Sequence, residues 1–263
     1  MATILFPLPD RDFDVTEVAV PWKLLRERGH EVIFATPEGR VAAADPLLLT
    51  GVVFGALGAR PEPKAFYREM ERSPEFLQPR RWDEIDPGQI DALFLAGGHA
   101  QGMKPYLESA VVQRLATAFF AADKPVAAIC HGVLVLARAR DARGTSPLHG
   151  RRTTCLPRYM ERSAWMSTAW LRGNYYRTYP TWVETEVTAA LASPEHFERG
   201  PRVLFTRGTR DDHRAAFVVE DGNYVSARWP GDAYLITDKL CERLARIARP
   251  ATKEDPHGRA NHA

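Results

Sequence analysis

The stretch that most constrains this chain is Lys124-Pro125-Val126-Ala127-Ala128-Ile129-Cys130-His131-Gly132-Val133-Leu134. Residues 126–129 are small or apolar and follow a proline, the pattern of a short strand buried on both faces. Cys130, His131 and Gly132 interrupt the apolar run, which resumes at 133–137 as a helix. A polar triplet between a buried strand and a helix is a sharp turn. It raises the cysteine side chain at the strand's carboxyl end, the strand-turn-helix context of a nucleophile elbow with Cys in place of Ser. The thiolate is the reactive form of cysteine, and a helix N-terminus lowers a thiol's pKa. An ordinary core cysteine fits the position alone equally well, because free Cys is among the most buried residue types.

Around this stretch the chain alternates strands and helices. Residues 3–8 read as a first strand, followed by a polar loop at 9–14. Val18, Trp22 and Leu25 then mark a helix over 15–28, stopped by Gly29 and kinked or broken at Pro21. Residues 31–36 are a second strand, and strand, helix, parallel strand opens a doubly wound sheet. Residues 41–90, with Gly51, Gly55, Pro63, Pro74 and Pro79, read as an insertion capping the sheet's carboxyl edge. A buried strand at 91–96 runs into Gly97-Gly98-His99, and a helix at 106–121 leads to the Cys130 strand. Beyond it, strands are expected at 151–156, 203–206, 216–219 and 224–227, and helices near 182–191 and over 233–247. A mixed helical and aromatic segment fills 159–179. The expected fold is α/β: a flavodoxin-like three-layer sandwich in one domain, 1–248, with a mostly parallel sheet and a disordered polar tail at 249–263.

Composition narrows the function. A net charge of +2, from 35 Lys and Arg against 33 Asp and Glu, argues against nucleic acid or an anionic membrane as partner. Three cysteines (Cys130, Cys155, Cys241) without CxxC or metal-ligand spacing, and no signal peptide, suggest a reducing, cytoplasmic compartment. No apolar run approaches the roughly 18 residues of a membrane span. In a parallel sheet, sites lie just beyond the strands' carboxyl ends, where the loop after the first strand, the 97–102 loop and the elbow should meet. Gly97-Gly98 permits close backbone approach, and the Gly98 and His131 amides are candidates for an oxyanion hole. A tight turn without a ligand is the alternative. The spacing fits neither GxGxxG nor a phosphate-binding loop.

Ala128-Ile129-Cys130-His131-Gly132, Ala96-Gly97-Gly98-His99 and Glu17-Val18-Ala19-Val20-Pro21 together resemble the PfpI/ThiJ superfamily, whose members include intracellular proteases and amidases, glyoxalase III-type enzymes and heat-shock chaperones. Asp221-Gly222-Asn223-Tyr224-Val225-Ser226-Ala227-Arg228-Trp229-Pro230 resembles the family's late hairpin and active-site loop. The resemblance covers roughly residues 2–245. Class I glutamine amidotransferases share fold and elbow, but Leu134 stands where their Gln would be.

The resemblance implies Cys130 as nucleophile, Glu17 as a protonated acid against its sulfur, and His131 as general base. It also implies a third acid orienting that histidine. Glu161, 31 positions after the cysteine, is the first candidate, with Asp141, Glu184 and Glu186 competing. His99 and Trp229 are the substrate-binding candidates, although His99 also fits a purely structural role. Arg177 could pair a substrate carboxylate or stack on a ring. Trp165, Trp170, Tyr175, Tyr176, Tyr179 and Trp182 could be core, subunit contact or pocket wall. His149, His257 and His262 have no partner at metal spacing. The leading function is therefore a cofactor-independent hydrolase, amidase or glyoxalase III-like enzyme acting on a small carbonyl or amide, without metal and as a homodimer. A holdase chaperone or redox sensor working through Cys130 oxidation is the alternative from another class, and a pathway-specific tailoring enzyme is a third.

Overall fold

The computed structural model describes residues 1–203 and 205–248; the tail expected at 249–263 lies outside the described residues. The chain opens with β1 (Thr3–Pro7), β2 (Arg11–Phe13), α1 (Val15–Glu27) and β3 (Glu31–Thr36). It continues through β4 (Ala43–Ala44), α2 (Pro46–Thr50), α3 (Pro61–Met70), α4 (Pro74–Leu77), β5 (Arg80–Arg81) and β6 (Ala92–Leu95). Then come α5 (Lys104–Leu107), α6 (Ala110–Ala121), β7 (Val126–Ile129), α7 (Val133–Arg138) and α8 (Arg158–Arg172). The last elements are α9 (Val183–Ala189), β8 (Val218–Asp221), β9 (Tyr224–Ala227) and α10 (Ala233–Ala248).

Among the described residues, seven strands form one sheet in the order β5-β3-β1-β6-β7-β9-β8, parallel except for the β8–β9 hairpin. The central strands β6 and β7 are apolar and buried at every position, as a sheet covered on both faces requires. Phe6 stacks on Phe94 with ring centroids 4.7 Å apart and meets Phe34 edge-on at 5.7 Å, tying β3, β1 and β6 together. Such pairs add roughly 0.5–1.5 kcal/mol each beyond the area they bury. From β1 the chain first winds outward to β3 and then returns to the other side of β1 at β6. That reversal is the switch point, and a crevice opens there above the carboxyl ends.

The expected α/β sandwich is the fold observed, and several elements inside it differ from the sequence reading. Helix α1 runs unbroken through Pro21. The proline's missing N–H leaves only the Glu17 carbonyl without its helical partner. The 106–121 helix is two helices, because Ser109 caps a new one by accepting from the Val112 N–H. Residues 151–156 make one bridge, Thr153 to Phe197, rather than a strand, since β8 occupies the place beside β9. Around 203–206 the described residues are likewise not a strand. Within 41–90, α3 packs against α1, and β5 extends the sheet beside β3. The 43–50 part is joined to β2 through β4, and its Asp45 side chain takes the hydroxyls of Tyr175 and Tyr176.

One buried ion pair fixes the loop after β9. Arg228 and Asp232 are both fully buried, 2.9 Å apart, and Asp232 also accepts from the Arg228 and Phe217 N–H groups. The Arg228 guanidinium reaches back to the Pro201 and Ala215 carbonyls, so the 201–217 strap is tied to this loop. Every donor and acceptor named here is used, the condition under which a buried pair is tolerated.

Candidate active site

The site begins with Asp14, which caps α1 by accepting from the Thr16 and Glu17 N–H groups at 2.7 and 3.1 Å. Glu17 thus occupies the third helical position, where a glutamate ordinarily folds back onto its own cap. Here the Asp14 N–H goes to the Gly97 carbonyl (2.9 Å), and Glu17 Oε2 accepts from the Gly97 N–H (2.8 Å). The first turn of α1 is thereby joined to the loop after β6. Glycine at 97 is a requirement of the packing. A Cβ there would stand 2.7 Å from the His131 nitrogen, 2.9 Å from Glu17 Oε2 and 3.0 Å from Cys130 Cβ. At Gly132 a Cβ would meet the Leu95 and Ala96 carbonyls at 2.3 and 2.7 Å. Both glycines let β6 and the elbow approach.

Cys130 sits at φ +59°, in the left-handed region that a non-glycine residue occupies at a cost of about 1–3 kcal/mol. This is the strained turn expected of an elbow, and it carries the side chain above β7. Glu17, Cys130 and His131 are at most 1% exposed. The resting chamber is closed.

Burial sets the ionisation of these groups. The Glu17 carboxyl is raised well above its ordinary value, first by burial and then by the charge of Asp14, which favours its protonated form. It approaches Cys130 closely enough for each group to perturb the other, yet Glu17 Oε1 makes no hydrogen bond of good geometry. Burial likewise pushes the Cys130 thiol up, and only the His131 backbone N–H opposes it. The expected lowering by a helix N-terminus is therefore outweighed in the closed chamber. Helix α7 has six residues, too short for a strong dipole.

His131 resolves what the thiol does next. Its imidazole is held well below the usual range, by burial first and then by His99, Arg138 and Arg177, so it is neutral. Nδ1 lies 3.5 Å from Cys130 Sγ, and Nε2 lies 3.3 Å from Thr178 Oγ1. The Thr178 hydroxyl donates to the His99 carbonyl at 2.5 Å, which leaves its oxygen to accept from His131. The proton is thereby assigned to Nε2, and the Nδ1 lone pair turns toward the sulfur.

The structure brings Cys130, His131, Glu17, Gly98 and His99 together at one end of the sheet, with Trp229 on the neighbouring loop after β9. Burial lowers the His99 imidazole to about 4, and its ring lies 4.8 Å from that of His131. Its backbone carbonyl holds the Thr178 hydroxyl. Trp229 is buried, with Nε1 lacking a partner among the described residues. His99, Cys130 and His131 place one donor atom each within 4.8 Å of one another, the one such group among the described residues that could hold a metal ion.

Glu161 is not brought to His131. Its Oε2 accepts from the Val183 N–H at the start of α9, and its Oε1 lies 3.3 Å from Arg177. The competing acids are engaged elsewhere too: Asp141 in its own turn, Glu184 with Arg199 and the Arg158 N–H, and Glu186 with Arg138. Thr178 occupies the place expected of the third acid. Arg177 stacks on Trp182, with Cζ 3.4 Å from the ring centroid, which is the ring-stacking role. Tyr176 is a wall residue, 6.0 Å from His99 and bonded to Asp45, whereas Trp170 is 65% exposed.

Comparison with known proteins agrees with this geometry. The family described as "ThiJ/PfpI family-like" matches residues 8–201. Deglycase PfpI of Pyrococcus furiosus is 28% identical over 88% of this chain and 92% of its own length. The glutathione-independent glyoxalase hsp3101 of Schizosaccharomyces pombe is 26% identical over 52% of this chain and 56% of its own. Among solved structures, glyoxalase III of Candida albicans superposes with a TM-score of 0.65 at 20% identity, covering 92% of this chain and 95% of that one. That likeness bears on the fold.

Proposed function

Because the chain belongs to the ThiJ/PfpI family, we propose that it is a cofactor-independent enzyme using Cys130 as nucleophile on the aldehyde carbon of an α-oxoaldehyde, the substrate chemistry suggested by its glyoxalase and deglycase relatives. The observation that carries this reading is the His131 imidazole, neutral and fixed by Thr178, with Nδ1 3.5 Å from the sulfur. A neutral thiol beside a neutral imidazole can react by passing its proton to Nδ1 as the sulfur attacks, so no resting thiolate is needed.

In the first step the sulfur adds to the aldehyde carbon, and the thiol proton moves to His131. In this reading the Gly98 and His131 N–H groups serve as the donors to the charge growing on the oxygen, which then takes the proton as a hemithioacetal. The remaining hydrogen on that carbon leaves as a proton, and the electrons pass through an enediol to the neighbouring carbon, which is reprotonated. His131 and Glu17 are the proton carriers of the chamber. The product is a thioester of an α-hydroxy acid. Water hydrolyses it and returns the thiol. The sum is one water added to the α-oxoaldehyde, with one carbon oxidised and its neighbour reduced, so no external electron carrier enters.

The test is lactate formation from methylglyoxal by the purified chain, without glutathione and with a metal chelator present. Lactate formed by the wild-type chain and absent with Cys130→Ala supports the reading. No turnover of any α-oxoaldehyde or its thiol and amine adducts, or turnover undiminished in Cys130→Ala, contradicts it.

A further inference from the structure

Arg207 is a half-buried arginine that the proposed chemistry does not use. It lies on the 201–217 strap, which is fastened at several points: Arg228 to the Pro201 carbonyl, Arg60 to the Phe205 carbonyl, the Gly208 N–H to the Gly231 carbonyl, and the Phe217 N–H to Asp232. The position of Arg207 is therefore set by backbone and by Arg228. Its own head group is unattached. Among the described residues it makes no side-chain hydrogen bond and no ion pair, and its surroundings act only at a distance, with Asp14 and Glu17 attracting and Arg60 repelling. Asp14 lies beyond ion-pair range, and its Oδ1 is spent on the α1 cap.

This differs from the treatment of other arginines near the site. Arg228 has Asp232, Arg138 has Glu186 and Arg177 has Glu161. A guanidinium taken partly out of water without a partner is costly, and such sites gain most when an anion arrives. The Arg207 Cζ lies 5.3 Å from the ring centroid of Trp229, whose indole N–H is itself buried and unpartnered. Two unmet donors are thus neighbours, one on the strap and one on the loop after β9, and Arg207 feels the charges of Asp14 and Glu17 in the first turn of α1. A small neutral aldehyde such as methylglyoxal can satisfy neither. The planar fork of a guanidinium matches a carboxylate, and an indole N–H can complete the set.

We propose that Arg207, with the Trp229 N–H, receives a carboxylate carried by the substrate, so that the enzyme selects α-oxoaldehydes that bear an acid group over neutral ones. The proposal rests on the reading of Cys130 given above, and its test separates the two. The binding arm uses levulinate, an oxo acid with no aldehyde, titrated while the Trp229 indole N–H resonance is followed and assigned with Trp229→Phe. The resonance should shift saturably with levulinate and not with the neutral ketone of the same carbon skeleton. Arg207→Met, which keeps the length of the chain over the ring, should weaken the affinity about ten- to hundred-fold, the loss of a charge-assisted pair. The kinetic arm compares dioxovalerate, an α-oxoaldehyde with a terminal carboxylate, with methylglyoxal. Arg207→Met should lower the ratio of their kcat/KM values by a similar factor, and Arg207→Lys should restore part of it. Levulinate affinity unchanged by Arg207→Met, or no saturable binding at all, overturns the carboxylate site even if methylglyoxal is turned over. Failure of both aldehydes to react speaks against the Cys130 chemistry, and levulinate binding still decides the role of Arg207.

Discussion

Cys130 and Cys155 are both buried free thiols, and burial pushes both up from the ordinary cysteine range. They differ in what lies against the sulfur. Cys155 points its thiol at the Leu156 carbonyl, 3.7 Å away, and the charges nearest it belong to Glu184 and Glu161. A carbonyl can accept that proton's hydrogen bond but cannot take the proton, and a thiolate formed there would face two acids. Cys130 instead stands on a left-handed turn beside a neutral imidazole nitrogen, a backbone N–H and a carboxyl whose protonated form burial favours. The comparison shows that burial alone says little about a cysteine's reactivity. What counts is whether a base can receive the proton and whether the neighbouring acid is neutral.

The largest expected effect is at the sulfur itself. Cys130→Ala should fold, because the side chain shrinks by one atom, and should abolish methylglyoxal turnover. Cys155→Ala should leave turnover within about two-fold and cost about 1–2 kcal/mol in urea unfolding from lost packing. Equal losses of turnover in the two variants would erase the distinction between the thiols.

Glu17→Gln should come next. The amide oxygen can keep the Gly97 N–H bond, so the chain should fold, but a group that exchanges protons is lost. A fall in kcat of about 10²–10³-fold is expected, the range for a proton carrier. Activity near wild type would reduce Glu17 to a structural link between α1 and the Gly97 loop.

Thr178→Val should have a smaller effect. It keeps the volume but removes the acceptor for His131 Nε2–H, freeing the ring to take the other tautomer. About a ten- to hundred-fold loss in kcat is expected. Since His131 is depressed well below its usual value, the wild-type acid limb of kcat/KM should lie on the acid side of an ordinary histidine's, and in Thr178→Val it should change shape or position. An unmoved limb with full activity would leave the tautomer unassigned by Thr178.

The smallest effect on turnover is expected at Glu161, where the readout is stability. Its carboxyl is raised to about 7 from 4.5, mainly by burial, so the folded chain holds that proton more tightly than the unfolded chain. This contribution is full below about pH 4.5 and is lost as pH rises through 7, worth about 3 kcal/mol at most. Unfolding free energies of wild type and Glu161→Gln at about pH 5 and pH 8 should differ in slope, with the wild type losing more on the alkaline side. Parallel slopes would show that Arg177 already neutralises the group.

Much of the sheet and half of the chamber were legible in the sequence, because they are written locally. A buried apolar run followed by Cys-His-Gly specifies a strand and a strained turn, and a paired glycine after a second such run specifies where backbones approach. Glu17 is identified through the family resemblance of Glu17-Val18-Ala19-Val20-Pro21, and the Asp14 cap that fixes its place in the helix is seen only in the structure. The other half of the chamber comes from 139–217, a region of short pieces with little periodicity. Glu161 was placed by its distance from Cys130 along the chain, and that distance does not say which way α8 turns it; its carboxyl serves the start of α9 instead. Thr178 and Arg207 carry no local signal, since each is brought in by tertiary contacts: Thr178 by the His99 carbonyl, Arg207 by the fastened strap. The Asp45 contacts of Tyr175 and Tyr176 could have been sought as a buried acid needing donors, but spacing alone did not pair residues 130 positions apart.

The most direct test of the difference between the two thiols is site-resolved labelling of the native chain with iodoacetamide at neutral pH, with and without methylglyoxal, read by peptide mass spectrometry. Cys130 should label at least about ten times faster than Cys155, as the thiol with a base at its sulfur, and methylglyoxal should protect it selectively. Cys155 labelling as fast as Cys130, or Cys130 labelling that methylglyoxal leaves unchanged, would contradict the assignment of Cys130 as the nucleophile.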